Sequence, residues 1–456
     1  MYRVVRRTGD IFGDEPHVCE FVCDTSDDVA TLPTSIPEGT GGKSKYDNQK
    51  CSAGSTAIIA TNSGSNSYIL NNSDAWIAQS SGSGSGSGGS GDPSEDIDPR
   101  IYPLDTNGLP TGDVIVTEGI KSFGSNGVGN YGPFYKNPNI TSVTLPDSME
   151  LIGNSVFYEC SKLKTIKWPK NCKIATIDKN AFYNVPITVI NIPDSVTAIN
   201  DYAFYNVGCT SINFGNASAV IRTSAFYKCS ETQINFGTGD IQIFGANIFY
   251  DNIHLISVNI PSNVRFSSNG GSSMFYGCSA LETASFDENH ELKIIPSSMF
   301  YNCSKLKSIT FPKSLTTLGQ YSFLNTGFET FTVPDGVTRL EQGCLSYMTS
   351  LTTVNIPSSV TYTYYYPGSN YDTFQRSNAI TTVNLGEDFT AELSLATQTL
   401  ITQECVADIA SKLHDYTGDT NAHRICFNAA VYDAIPEDVM AVFTGKNWTV
   451  ARSTAT

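Results

Sequence analysis

The chain has 456 residues, with 28 basic against 44 acidic side chains and a formal net charge of −16. Such a balance repels phosphates, which excludes nucleic acid as a partner. No apolar run approaches the roughly 18 residues of a membrane-spanning helix, so membrane insertion is not expected, and the length leaves room for more than one domain.

The first ten residues are polar and lack an apolar core, so they do not read as a secretory signal. His17–Cys23 alternates like a strand, and residues 26–32 fit one helical turn. Ala57–Ala60 and Ser67–Leu70 flank the turn Asn62–Asn66, a hairpin signal, and Ala75–Ala78 adds a last strand. Residues 1–79 thus read as a small, mainly-β anchoring domain. Residues 80–99 form a linker. Its Gly/Ser run at 80–91 behaves as a random coil spanning roughly 20 Å, whether a natural tether or an engineered join. Residues 100–133 read as a lead-in and N-terminal cap, with Asp113–Thr117 as a first strand.

From residue 134 the sequence repeats. Phe-Tyr recurs at 134, 157, 182, 204, 226, 249, 275 and 300, spaced 22 to 26 apart, and degenerate copies follow at Phe323-Leu324, Leu345-Ser346 and Phe374-Gln375. Eight to ten residues after most of these Phe comes an apolar-x-apolar segment, usually closed by Pro or Gly: Ile190-Asn-Ile192-Pro193, Ile212-Asn-Phe214-Gly215, Val258-Asn-Ile260-Pro261. Alternation over so few residues reads as a strand with one buried face. Pro cannot donate to a ladder, so it stops each strand at the same place. A unit this small cannot bury its own apolar face, so neighbours must stack. The expectation is one curved parallel sheet of about eleven strands, with the Phe column buried and a length on the order of 50 Å.

The pattern I-x-I-P, V-x-x-I, A-F, clear in Ile190–Phe204 and Ile309–Phe323, is similar to the BspA-type leucine-rich repeat. The resemblance covers roughly residues 120–390. It implies an α/β repeat, a leucine-rich-repeat solenoid with a parallel β-sheet, placed at 134–390. It also implies adhesion and binding to proteins or glycans, and no catalysis. The order of segments in residues 21–77 resembles small structural proteins of tailed bacteriophages, in which such a domain precedes variable appendages. A virion protein leaves the cell by lysis and needs no secretory signal.

Residues 391–456 read as a C-terminal α/β cap. Thr402 can N-cap a helix with Val406, Ile409, Ala410 and Leu413 on one face. His423–Phe427 reads as a strand, Pro436–Thr444 as a helix stopped by Gly445, and Trp448–Val450 as a last strand. A terminal unit of this kind is similar to the end of many BspA-type arrays.

Cys160, Cys229, Cys278 and Cys303 each lie three residues after a repeat Phe, so they form a column of small buried thiols rather than disulfides. Cys19 and Cys23 stand four apart on a strand, too far to bridge. No Cys-x-x-Cys pair and no histidine spacing suggests a metal site. Asp287–Glu291, around His290, reads as a solvated loop, with a weak metal site as the alternative. The glycines at 124–132 match no phosphate-binding motif. No catalytic constellation, cofactor or metal is expected.

Surface remains. The outward position of the strands is rich in Asn: Asn191, Asn213, Asn235, Asn259, Asn355 and Asn384. It is either a solvated face or an uncharged hydrogen-bonding plate suited to sugar hydroxyls. The Tyr of each Phe-Tyr pair is expected to form a row along one edge, either cementing adjacent turns or contacting a partner. Between Leu345 and Phe374 the spacing stretches to 29, and the extra stretch carries Tyr362, Tyr364, Tyr365, Tyr366 and Tyr371. Insertions in repeat arrays map to binding faces. The expectation is a non-enzymatic surface protein on a virion, as a head fibre or tail appendage. Residues 1–79 would attach to a virion structural protein, and the solenoid would contact a host-surface polysaccharide or protein. The alternatives are a bacterial cell-surface adhesin and a structural spacer without ligand. A homo-oligomer on the particle stays open.

Overall fold

The computed structural model describes residues 110–123, 134–268, 270–365 and 372–453 with their side chains, and five strands within residues 2–79 by backbone alone. Those strands are β1 (Tyr2–Thr8), β2 (Val18–Cys23), β3 (Thr56–Thr61), β4 (Gly64–Leu70) and β5 (Trp76–Gln79). They form one sheet in chain order. β2 and β3 are parallel; the other neighbours are antiparallel. The expected hairpin is present as β3 and β4, closed more tightly than its sequence suggests, with Thr61 opposite Gly64. β1 was not foreseen, because its Arg-rich sequence does not alternate. The expected helical turn at 26–32, the Gly/Ser run and the glycines at 124–132 lie outside the described residues. This sheet and the repeats belong to separate compact units.

The second unit is a parallel-strand solenoid of about 14 turns with little helix. Each turn contributes two short strands, which corrects the expectation of a single sheet. The first column holds the apolar-x-apolar segments. Val189–Asn191, Ser211–Asn213 and Gln233–Asn235 pair in parallel, with Ile190, Ile212 and Ile234 in register. It is divided into four sheets of three strands. The second column holds the V-x-x-I segments, as in Ala198–Ile199, Val220–Ile221 and Ile241–Ile243. It runs through seven strands from Ser122–Phe123 to Val264–Phe266, and then four from Ile294–Ile295 to Tyr362–Thr363. The physical reason is local. Pro ends the first strand and its carbonyl accepts from the residue three on, as Val196 N–H donates to Pro193 at 3.0 Å. The chain that leaves this tight corner is extended again. Its buried backbone groups need partners, and the next turn offers the same groups in register.

The third side carries Phe-Tyr. Phe134 through Phe323 are all at most 1% exposed. Their rings stack from turn to turn, 5.0 Å apart between Phe182 and Phe204 and 5.2 Å between Phe204 and Phe226. Leu345 and Phe374 continue the column and are fully buried.

At the C-terminal end Thr402 caps helix α1 (Gln403–Lys412) by accepting from Cys405 N–H at 3.2 Å, and Val406, Ile409, Ala410 and Leu413 are buried as expected. A short helix α2 (Ala429–Asp433) was missed; five residues are too few for a periodic signal. Helix α3 (Glu437–Gly445) takes Pro436 as its N-cap, and Asn447, with φ 62°, provides the left-handed stop in place of Gly445. Leu393–Leu395, His423–Phe427 and Trp448–Arg452 form a last three-stranded parallel sheet.

Candidate ligand-binding surface

The third side of each turn is held by backbone that side chains rarely adopt. Two residues before the Phe and two after it, φ is positive: Tyr202 (58°) and Asn206 (52°) flank Phe204, and Ser224 and Lys228 (both 56°) flank Phe226. Left-handed backbone costs a non-glycine residue roughly 1–2 kcal/mol. The return is a second set of inter-turn hydrogen bonds. Asn206 N–H donates to Tyr227 carbonyl at 2.7 Å, and Phe204 N–H to Ala225 carbonyl at 2.8 Å. Cysteine completes the arrangement. Cys160, Cys229, Cys278 and Cys303 donate their thiols to the carbonyls of Phe134, Phe204, Phe249 and Phe275 at 2.9–3.2 Å. Burial pushes the Cys160 thiol up to about 12. The column is therefore a donor column as well as a small apolar one, and Ser377 plays the same part toward Leu345 at 2.8 Å.

The Tyr row is a continuous stack. Ring centres lie 5.3 Å apart at Tyr135–Tyr158, 4.5 Å at Tyr183–Tyr205 and 4.5 Å at Tyr276–Tyr301. Each ring is half-buried. The stack stops at Tyr301, because the next two turns carry Leu324 and Ser346 instead. Beside Tyr301 lies a hollow of about 620 Å³, whose walls include Tyr321, Tyr347, Asn302, Asn325 and Arg376. Tyr347 is 36% exposed, and the Arg376 guanidinium stands 5.6 Å from its ring centre. Gly343, with φ 59°, leaves room for the Tyr321 ring, which any side chain there would meet within 2.6 Å. Tyr321, Tyr347 and Arg376 occupy the two left-handed columns. The sequence did not flag them; the signal available was Tyr and Arg standing in columns otherwise held largely by Asn, Ser and Lys.

The Asn plate is on the surface, with part of its hydrogen-bonding capacity already used. Asn213 donates to Asn191 at 2.9 Å, Asn384 to Asn355 at 2.8 Å, and Asn355 to Thr332 at 2.8 Å. Asn259 accepts from Ser285 at 2.8 Å, and Asn235 accepts from Gly237 N–H at 2.9 Å. The bonds of Asn191, Asn213, Asn259, Asn355 and Asn384 run from turn to turn along the solenoid, whereas that of Asn235 stays within its own turn.

The tyrosine-rich stretch divides. Tyr362 belongs to the second strand column and lies under Arg339, whose guanidinium is 3.9 Å from its ring centre. It therefore has a structural duty, contrary to the reading of all five tyrosines as inserted. Tyr364 N–H donates to Leu340 carbonyl at 3.0 Å. Tyr365 is half-buried, and burial near Cys426 and Glu392 pushes its hydroxyl pKa upward. Tyr366 and Tyr371 lie outside the described residues.

The Asp287–Glu291 loop is solvated at Glu288, Asn289 and Glu291, as expected, but His290 itself turns inward. It is 3% exposed, lies between the rings of Phe266 and Phe286, and accepts from Leu292 N–H through Nδ1 at 3.0 Å. Burial lowers its pKa, so the ring is held neutral. A run of polar letters concealed this, because the turn has extra residues between its two strand segments and folds His290 inward.

No curated protein matches the chain. Among solved structures, it is similar to a leucine-rich repeat protein from Bacteroides ovatus, at 20% identity over 66% of this chain and 94% of that one, with a TM-score of 0.32. It is similar to a leucine rich cell surface protein from Faecalibacterium prausnitzii at 17% identity, 64% and 94% coverage and a TM-score of 0.31. The pneumococcal vaccine antigen PcpA matches at 14% identity, 88% and 98% coverage and a TM-score of 0.40. The family model described as BspA type Leucine rich repeat region (6 copies) matches residues 128–207, 175–291 and 268–391, together more than half of the sequence. The chain belongs to the BspA-type leucine-rich-repeat family.

Proposed function

We propose that this chain is a non-enzymatic surface protein that binds a glycan or protein through its solenoid while residues 1–79 attach it to a larger assembly. The observation that carries the reading is the hollow at the end of the tyrosine stack. Three tyrosines, an arginine and two asparagine side chains converge there on a concave surface. Aromatic faces suit sugar rings and apolar side chains, and Arg with Asn supplies directed hydrogen bonds. The Asn ladders of the first strand column, Tyr364, and the tyrosines at 366 and 371 taken from the sequence are proposed as further contacts. The finer reading is a virion appendage contacting a host surface, supported by the phage-like order of segments in the N-terminal region. Membership in a repeat family whose resemblance implies adhesion supports the alternative, a bacterial cell-surface protein.

The test is adsorption of the full chain to candidate host cells. Tyr347→Ser with Arg376→Ser is expected to lower binding at least tenfold, as loss of an aromatic and arginine anchor does. Melting should be unchanged. Unchanged adsorption would remove the hollow from the binding surface, and a loss confined to substitutions at Tyr364, Tyr366 and Tyr371 would move the site to the loop. Incorporation of residues 1–79, but not 100–456, into phage particles would support the virion reading. Incorporation of neither would leave the cell-surface alternative.

A further inference from the structure

One core column of the solenoid is leucine or isoleucine in most turns: Leu163, Ile187, Leu255, Leu281 and Leu306 are at most 3% exposed. In two consecutive turns it is held by Cys209 and Glu231, in register through the pairing of Ser211 with Gln233. Glu231 is fully buried. Its Oε1 accepts from Asn252 Nδ2, and its Oε2 has no hydrogen-bond partner. Asn252 is itself fully buried and fixed, since its Oδ1 accepts from Cys229 N–H at 2.8 Å. Burial without a counter-charge pushes the Glu231 carboxyl up to about 8. A leucine would fill this place without such a cost.

What sets the place apart is its neighbours. The Sγ atoms of Cys209 and Cys229 and a carboxylate oxygen of Glu231 all lie within 4.8 Å of one another. In a tetrahedral zinc centre, with bonds of about 2.3 Å to sulfur and 2.0 Å to oxygen, ligand atoms stand about 3.5–3.8 Å apart. Closing the triad around a cation thus takes a movement on the order of 1 Å. The Phe204 carbonyl, 3.0 Å from Cys229 Sγ, is an oxygen at hand for a fourth position. Two sulfurs with one carboxylate select a thiophilic cation over calcium or magnesium. The three residues are 20 and 2 apart in sequence, which matches no short ligand motif and explains why spacing did not reveal them.

We infer that Cys209, Cys229 and Glu231 form a structural site for a zinc-class divalent cation, held between two turns and loaded as the chain folds. Each thiol that becomes a ligand releases its proton to solvent, and so does the Glu231 carboxyl when it binds as the carboxylate. Asn252 is a positioning residue that orients the carboxylate.

The experiment uses the full chain, refolded from denaturant with Zn²⁺ or Co²⁺ and then desalted. One metal per chain is expected, with a thiolate-to-cobalt charge-transfer band and the visible bands of a tetrahedral Co²⁺ centre. Cys209→Ala with Cys229→Ala should lose both. Glu231→Leu, which restores the residue type of the column and keeps the fold, should weaken retention at least tenfold, and its melting should no longer respond to a chelator. Three results would overturn the site: no metal retained by the folded wild type, equal retention by all variants, or thiol counting that finds Cys209 and Cys229 joined as a disulfide.

Discussion

The turns before and after Tyr301 are built on the same frame and finished differently. Up to Tyr301 every turn has both members of the Phe-Tyr pair, and two aromatic stacks run side by side. Beyond it the inner column persists as Phe323, Leu345 and Phe374, all fully buried, while the outer one becomes Leu324, Ser346 and Gln375. The backbone does not notice. Asn302 N–H donates to Leu324 carbonyl at 2.9 Å and Tyr347 N–H to Gln375 carbonyl at 2.7 Å, just as in the earlier turns. The inner column therefore holds the solenoid, and the outer one is free to vary. Where it varies, a hollow opens.

The comparison can be broken most severely at Glu231, an acidic residue buried in the core of the earlier turns. In chelator-treated protein, the unfolded Glu231 loses its proton near the ordinary carboxyl value, whereas the folded one keeps it to about pH 8. The folded state binds the extra proton in between, so stability falls as pH rises through that window and levels off above it. The gap corresponds to on the order of 5 kcal/mol. Urea midpoints of wild type and Glu231→Leu should converge in mild acid and separate as pH approaches 9, with the variant more stable. Midpoints that shift in parallel would show that the carboxyl is not paying this cost.

Phe226→Ala should cost about 3–5 kcal/mol and Leu345→Ala about 2–5 kcal/mol. Chemical denaturation would measure both. Similar losses on the two sides of Tyr301 would support a common inner frame; a negligible loss at Leu345 would contradict it. A smaller effect tests the thiols. Cys303→Ala removes one of two donors to the Phe275 carbonyl, the other being Cys278 N–H at 3.2 Å, and should cost about 1–1.5 kcal/mol, whereas Cys303→Ser should cost less, because serine already does this work at Ser377. Equal losses for the two variants would reduce the thiol to a space-filler. The smallest expected effect sharpens the contrast directly. Leu324→Tyr extends the outer stack by one ring and should add about 0.5–1.5 kcal/mol. It also fills the hollow, so adsorption should fall while melting rises.

Periodicity made the solenoid, the buried Phe column and the first strand column legible, because each is written many times and errors in one copy are corrected by the others. The second strand column was harder to see. Its strands are two or three residues long, and V-x-x-I does not alternate. The C-terminal helix α1 was legible from its Thr402 cap and apolar face. The candidate sites were less so, for one reason. They sit where a column changes residue type, as at Glu231, Leu324 and Arg376. Such a change acquires meaning only when the turns are stacked and its neighbours come from residues about 20 or more positions away.

The left-handed position after each Phe-Tyr pair has a consequence for how such a surface diversifies. Lys136, Glu159, Asn206, Asp251, Tyr347 and Arg376 all occupy it with nearly the same φ, between 52° and 58°. Its hydrogen bond uses the main chain, so the frame is indifferent to what the side chain is. The column works as a row of interchangeable pegs, one per turn, at about the 4.8 Å spacing of neighbouring strands. Sign, size and aromaticity can be rewritten peg by peg without redesigning the board. A polymer whose own repeat is close to a multiple of that spacing would meet the same chemistry again and again along the array.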